Sequence, residues 1–324
     1  MTRHIKAMAA VLVASLSIVS LAYAQTWPAK PLRIVVPYGA GGTSDILARI
    51  LGQKLTEAWG QQVIVENRLG ANGNIGAEFV ARAAPDGYTF LLTDIGNLTI
   101  SPSIYPNMPF DIMKDLAPVT MISYSPHMLV VRADLPVNSV QELVVYAKAN
   151  PGKLNQASAG TGSAPHLAGV LFAQRLGITW VHVPYKGGAP ALADLAGGQA
   201  DVLFNGMLAT LPFVKGGKIR ALALSSEKRV AALPDLPTIS ETVLPGFVTG
   251  SWQGLFTSPG TPREIILKLN AELARILGTP DMKERLAGQG TEARSTSPEQ
   301  FGVFVRDEIA KWGKVVKDAG VKLE

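Results

Sequence analysis

Apolar residues along the chain follow two rhythms: short continuous runs alternate with longer stretches where they recur at helical spacing. The first run covers residues 32–36 and breaks at Pro37-Tyr38-Gly39-Ala40-Gly41-Gly42-Thr43-Ser44-Asp45. Ile46, Leu47, Ile50, Leu51, Leu55 and Trp59 then mark a helix. Residues 62–66 read as a second strand, 67–74 as a Gly/Asn loop and 75–84 as a helix. Pro85-Asp86-Gly87 turns the chain into a third strand at 88–92. The order is β-α-β-α-β.

The same order returns further on. Residues 154–157 read as a strand, Ser158-Ala159-Gly160-Thr161-Gly162-Ser163 as a Gly-rich loop and 165–176 as a helix. Residues 178–183 give another strand, Pro184-Tyr185-Lys186-Gly187-Gly188 another loop, 190–195 a helix and 200–204 a third strand. Strands alternating with helices predict parallel sheets with right-handed crossovers. Ligands of such sheets sit beyond the carboxyl ends of the strands, where all four Gly loops fall. The expectation is an α/β protein of two similar lobes facing one another across a cleft. Residues 118–131 predict a long strand crossing between the lobes. Residues 219–224 form a strand, and Trp252-Gln253-Gly254-Leu255-Phe256 carries the chain back. Two strand-like crossings make a hinge suited to closure on a ligand.

The last stretch is helical. Thr261-Pro262-Arg263-Glu264 reads as a capping box with Pro at the first helical position, and Ser297-Pro298-Glu299-Gln300 repeats it. Ile265, Ile266, Leu269, Leu273 and Ile276, then Phe301, Phe304, Val305, Ile309 and Trp312, follow as core stripes.

The amino terminus changes the picture of where the protein works. Arg3 and Lys6 precede a charge-free apolar stretch that ends at Ala22-Tyr23-Ala24. That is the pattern of a cleavable signal peptide, cut before Gln25. Its loss lowers the formal charge from +5 to +3, too mild and dispersed for nucleic acid. With 47 % hydrophobic and 17 % charged residues the chain can bury a core. It has no cysteine, which excludes disulfides, thiolate metal sites and a cysteine nucleophile.

Four helix starts, after Gly42, Asn74, Ser163 and Gly188, point toward the predicted cleft. Unpaired amides and the positive end of a helix dipole favour a small anion such as a carboxylate, held mainly by main chain. Other chemistries are poorly supplied. Gly39-x-Gly41 and Glu66 imitate a dinucleotide fingerprint, but Ser44 stands at the third glycine position. Neither a P-loop nor a Gly-x-Ser-x-Gly elbow occurs. Past residue 24 only His127, His166 and His182 remain, with no His-Glu-x-x-His, so no metal or other cofactor is expected. Ser163 and His166 lie three apart and leave a secreted hydrolase as the enzymatic alternative, without an acid to orient the histidine. Asp45 reads as a helix-start acid, and Glu66 with Arg68 as a local ion pair rather than Arg68 as a residue reaching the ligand. Lys186 either meets an anion or is a solvated loop lysine. Tyr38 and Tyr185 match across the two units and either wall the pocket or pack on their loops.

These motifs resemble the Bug-type receptors, the extracytoplasmic solute-binding subunits of tripartite tricarboxylate transporters. The resemblance runs in order from Trp27-Pro28 almost to the end. It takes in the loop from Pro37 to Asp45, Val65-Glu66-Asn67-Arg68 with Gly70-Ala71-Asn72-Gly73-Asn74, and Pro85-Asp86-Gly87-Tyr88-Thr89. It continues through His182-Val183-Pro184-Tyr185-Lys186-Gly187, Pro234-Asp235-Leu236-Pro237-Thr238 and Trp252 to Phe256. It implies a two-lobe periplasmic binding protein of type II topology, two βαβαβ lobes joined by a strand-like hinge. Residues 25–123 with 247–324 would form lobe 1, and 124–246 lobe 2. It further implies a periplasmic, monomeric receptor that closes on a small carboxylate and hands it to membrane permease subunits; a sensor feeding a signalling partner is a further alternative. The implied grip comes from Tyr38, Gly39, Ala40, Gly41, Gly42 and Thr43, and from Ser158, Thr161, Gly162, Ser163 and His166. Asn72, Lys186 and Asn205 complete the candidate set. Asn205 stands where relatives often carry an acid, which leans the expectation toward a di-, tri- or aromatic carboxylate without an amine.

Overall fold

The computed structural model describes residues 27–105 and 107–321; the expected signal peptide lies outside the described residues. The first unit runs β1 (Leu32–Val36), α1 (Thr43–Trp59), β2 (Val63–Asn67), α2 (Asn74–Ala81) and β3 (Thr89–Asp94). The long β4 (Ala117–Arg132) and α3 (Val140–Ala149) lead to the second unit. That unit runs β5 (Asn155–Ser158), α4 (Ala164–Leu176), β6 (Val181–Pro184), α5 (Gly188–Ala196) and β7 (Val202–Gly206). Then come α6 (Met207–Lys215), β8 (Ile219–Leu224), β9 (Gly250–Thr257), α7 (Arg263–Gly278), α8 (Pro280–Ala287), β10 (Glu292–Ala293) and α9 (Pro298–Ala319).

Both expected β-α-β-α-β units are present, but they do not make separate all-parallel sheets. One mixed sheet runs β2-β1-β3-β9-β4-β7-β5-β6, with β8 and β10 also on β4. Within each unit the strands are parallel. β9 is antiparallel to β3, and β4 is antiparallel to β7, so each unit has its third strand flanked by one antiparallel crossing strand. β4 makes this possible. Its first part pairs with β9 and its last part, from His127, with β7. Sixteen residues long, it is the predicted crossing strand.

Strand alternation sends apolar side chains to both faces, as a sheet covered on both sides requires. In the first half, Leu32, Ile34 and Val36 pack with α1, α7 and α8, while Val35 and Leu91 pack with α2 and α9. In the second half, Leu129 and Phe204 face α3 and α4, while Val130 and Leu203 face α5 and α6. The capping box at Ser297 and Gln300 forms as expected. The one expected at Thr261 does not: α7 begins after Pro262, which offers no side-chain cap. The Thr261 hydroxyl instead donates to the Ser258 carbonyl, closing the preceding turn. Among the described residues no helix is long and apolar enough to cross a membrane.

Candidate ligand-binding cleft

The loop before α1 is rigid because Asp45 reaches back into it. Its carboxylate accepts the Gly41 amide at 2.9 Å, Arg49 Nε and Nη2 at 2.9 Å each, and Asn67 Nδ2 at 3.0 Å. Burial alone would raise this carboxyl; the bonds from Arg49, Gly41 and Asn67 outweigh it and hold the pKa below the ordinary value. Gly41 sits at φ +81°, which a side chain would strain. Asp45 is thus the structural helix-start acid the sequence suggests, and it consumes the Gly41 amide. The N-cap of α1 is Gly42, with no side-chain cap. The amides of the first turn therefore remain for something else.

The N-cap of α5 is likewise a glycine, Gly187, without a side-chain cap. The two bare helix starts meet across the cleft. The Gly39 amide donates to the Lys186 carbonyl at 3.3 Å. A Cβ on Gly41 would lie 3.8 Å from Ala189 Cβ, and one on Gly206 would lie 3.1 Å from Thr43 Oγ1. The start of α4 is different. Ser163 Oγ accepts the His166 amide at 3.3 Å, and His166 Nδ1 accepts the Gly162 amide at 3.2 Å. That makes Nδ1 the unprotonated nitrogen of a neutral ring. Burial, with a smaller contribution from stacked His182, pulls the His166 pKa down to about 3. Ser163 therefore caps a helix and does not address the imidazole, so the nucleophile–base pairing a hydrolase would need is not formed.

Both halves of the molecule wall a partly open cavity of about 40 Å³. From the first unit come Tyr38, Gly42, Thr43, Ser44 and Asp94; Ser251 and Gln253 come from β9 and His127 from β4. Ala159, Pro165, Gly188 and Gly206 close the other side. Ser44 Oγ donates to Gln253 Oε1 at 2.7 Å, pinning the α1 start to β9. Asp94 Oδ1 accepts Tyr38 Oη at 2.7 Å and the amides of Gly96 and Asn97 at 2.9 and 3.3 Å. Burial pushes the Asp94 carboxyl up, against the pull of those three bonds. Burial also pushes the Tyr38 phenol well up, helped by the neighbouring carboxylate. His127 contacts Thr249 Oγ1 through Nδ1 at 3.1 Å, and desolvation alone lowers its pKa to about 3.

Of the sequence-predicted residues, Tyr38, Gly42 and Thr43 line this cavity. Gly39 and Gly41 form the seam between the units, and Ala40 lies exposed at its rim. Asn72 packs beside Gly162 deeper in the seam and donates to Ser101 Oγ. The Thr161 carbonyl accepts Tyr105 Oη. Ser158 is fully buried and bonded to its own loop and to His182, so it lies behind the cavity. Lys186 is exposed and joins the seam only through its carbonyl. Asn205 lies beneath the α5 start, with Nδ2 on Thr210 Oγ1 at 3.1 Å. Tyr185 donates to Asp194 at 2.7 Å and packs on its own side of the sheet, unlike Tyr38. Glu66 and Arg68 do pair, at 2.6 Å. The sequence reading missed Asp94, His127, Ser251 and Gln253. Gln253 and Ser44 are 209 residues apart, so only the fold joins them. Asp94 had a signal: it ends the third strand of the first unit as Asn205 does near the end of the second.

Known proteins place this architecture. Residues 47–321 match the family described as tripartite tricarboxylate transporter family receptor, TctC. The chain belongs to this family. The receptor is 36 % identical to protein BugT of Bordetella pertussis, over 100 % of this chain and 99 % of that protein. It superposes on Rpa4515 of R. palustris, solved with adipate, with a TM-score of 0.90 and 39 % identity, covering 92 % of this chain and all of that one. MatC from Rhodopseudomonas palustris, solved with bound malate, gives 0.84 at 33 % identity, covering 90 % of this chain and all of that one. The receptor is a solute-binding protein of the periplasmic binding type and not an enzyme.

Proposed function

We propose that this receptor works in the periplasm, closes on a small carboxylate and delivers it to the permease subunits of a tripartite transporter. The observation that carries the reading is the convergence of two uncapped helix starts, α1 and α5, one from each unit, on a single cavity walled by both. Each start presents free amides and about half a positive charge, so an anion bridging them is stabilised only when the units are together. Binding and closure are then the same event. Residues 25–123 with 247–324 would move as one lobe and 124–246 as the other, flexing where β4 passes from β9 to β7. The ligands named for Rpa4515 and MatC, adipate and malate, share the carboxylate and support that group alone as the common element of the ligand. The signal-peptide pattern supports export, and the family supports the permease partner.

Thermal melting of the purified receptor against a carboxylate panel, with mass spectrometry of each mixture, tests this. A ligand that binds the native state raises the melting temperature. The expected result is a clear rise with at least one carboxylate, recovered unaltered. No shift across the panel, or turnover of the compound, would overturn the reading.

A further inference from the structure

We propose that Asp94 makes this receptor select carboxylates that also carry an ammonium group. The inference rests on the receptor reading above and narrows it. The two units place Asp94 and Asn205 at corresponding points, on the third strand of each beside the cleft. Asn205 does not line the cavity: its amide is held by Thr210, and the first residue of α5 sits against its Oδ1. Asp94 does line it. All three hydrogen bonds to Asp94 end on Oδ1, and Oδ2 accepts none from the described residues. A carboxylate has acceptor sites on both oxygens, so Oδ2 of this cavity-lining residue keeps its acceptor capacity.

The cavity therefore has two poles. Bare amides of α1 and α5 form the positive one, and the open oxygen of Asp94 the negative one. A ligand with carboxylates only would set its charge beside Asp94 where little water screens them, which disfavours it. A ligand bearing an ammonium group satisfies both poles. His127, in the same wall, has a buried Nε2 with no partner among the described residues. With Nδ1 donating to Thr249 Oγ1, that nitrogen is an unprotonated acceptor in the same wall.

Titration calorimetry on wild type and Asp94→Asn tests the inference with compound pairs that differ only in an amino group: succinate and aspartate, glutarate and glutamate, propionate and alanine. Asparagine keeps Oδ1 for Tyr38, Gly96 and Asn97, and a melting curve checks that the variant is folded. In at least one pair the amino member is expected to bind wild type at least about tenfold more tightly, because a site built for a donor penalises the analogue that lacks it. Asp94→Asn is expected to shrink that ratio by about tenfold or more. Equal or tighter binding of the des-amino members to wild type, or a ratio untouched by the substitution, overturns the selection by Asp94 and leaves the receptor reading standing. Binding of no member, amino or des-amino, overturns the selection by Asp94, while the receptor reading is decided by the wider carboxylate panel.

Discussion

The loops before α1 and α4 share a composition of glycine, serine and threonine after a parallel strand, yet they end differently. At α4 the helix supplies its own cap: Ser163 takes the His166 amide, and the His166 ring takes the Gly162 amide. At α1 the corresponding cap is Gly42, and the rigidifying acid, Asp45, spends its carboxylate on the loop and on Arg49. One helix start is capped by the protein's own side chain and the other has no side-chain cap. A Gly-rich βα turn thus permits an anion site, and the side chain at the N-cap decides whether one exists.

The largest expected effect breaks the open side. Gly41→Val forces a β-branched residue toward φ +81° and presses its side chain on Ala189. Strain of about 1–3 kcal/mol predicts a loss of ligand affinity of about 10- to 100-fold by calorimetry, with an unchanged circular-dichroism spectrum. Unchanged affinity would remove the α1 loop from the grip.

Asp45→Asn sharpens the same side. It leaves Arg49 and the Gly41 amide with a weaker acceptor, at a cost of about 1–3 kcal/mol. The Asp45 pKa is depressed in the fold, so its ionised form contributes stability above the ordinary carboxylate pKa. That contribution fades as pH falls through the lowered value. The variant should melt several degrees lower near neutral pH, and the gap should close in acid. A gap that widens in acid would contradict this.

On the closed side the effects are smaller. Ser163→Ala removes an N-cap worth about 1 kcal/mol and should lower the melting temperature by about 2–4 °C, with affinity changed less than about threefold. An affinity collapse at unchanged melting temperature would place Ser163 against the ligand. Lys186→Ala should do least, under about twofold in affinity, because its side chain is solvated and its carbonyl persists.

Much of this was legible in the residues. Both β-α-β-α-β units, the crossing strand and the Gly42 helix start follow from local periodicity and turn chemistry. What was not legible lies in non-local pairing. The joining of both units into one sheet depends on which strands β4 meets at each end. Helix α6 continues an apolar run from β7 and contains Pro212, so its period is masked. In the cleft, the family resemblance implied Ser158 and His166 as ligand donors. Short local bonds had already claimed them, which composition does not reveal.

The central claim is that a carboxylate sits between the bare starts of α1 and α5. A crystal structure of the receptor with a bound carboxylate tests it most directly. The account predicts ligand oxygens about 2.7–3.2 Å from main-chain nitrogens of the first turns of both helices. A carboxylate held in another groove, or by side chains of one unit alone, would contradict it.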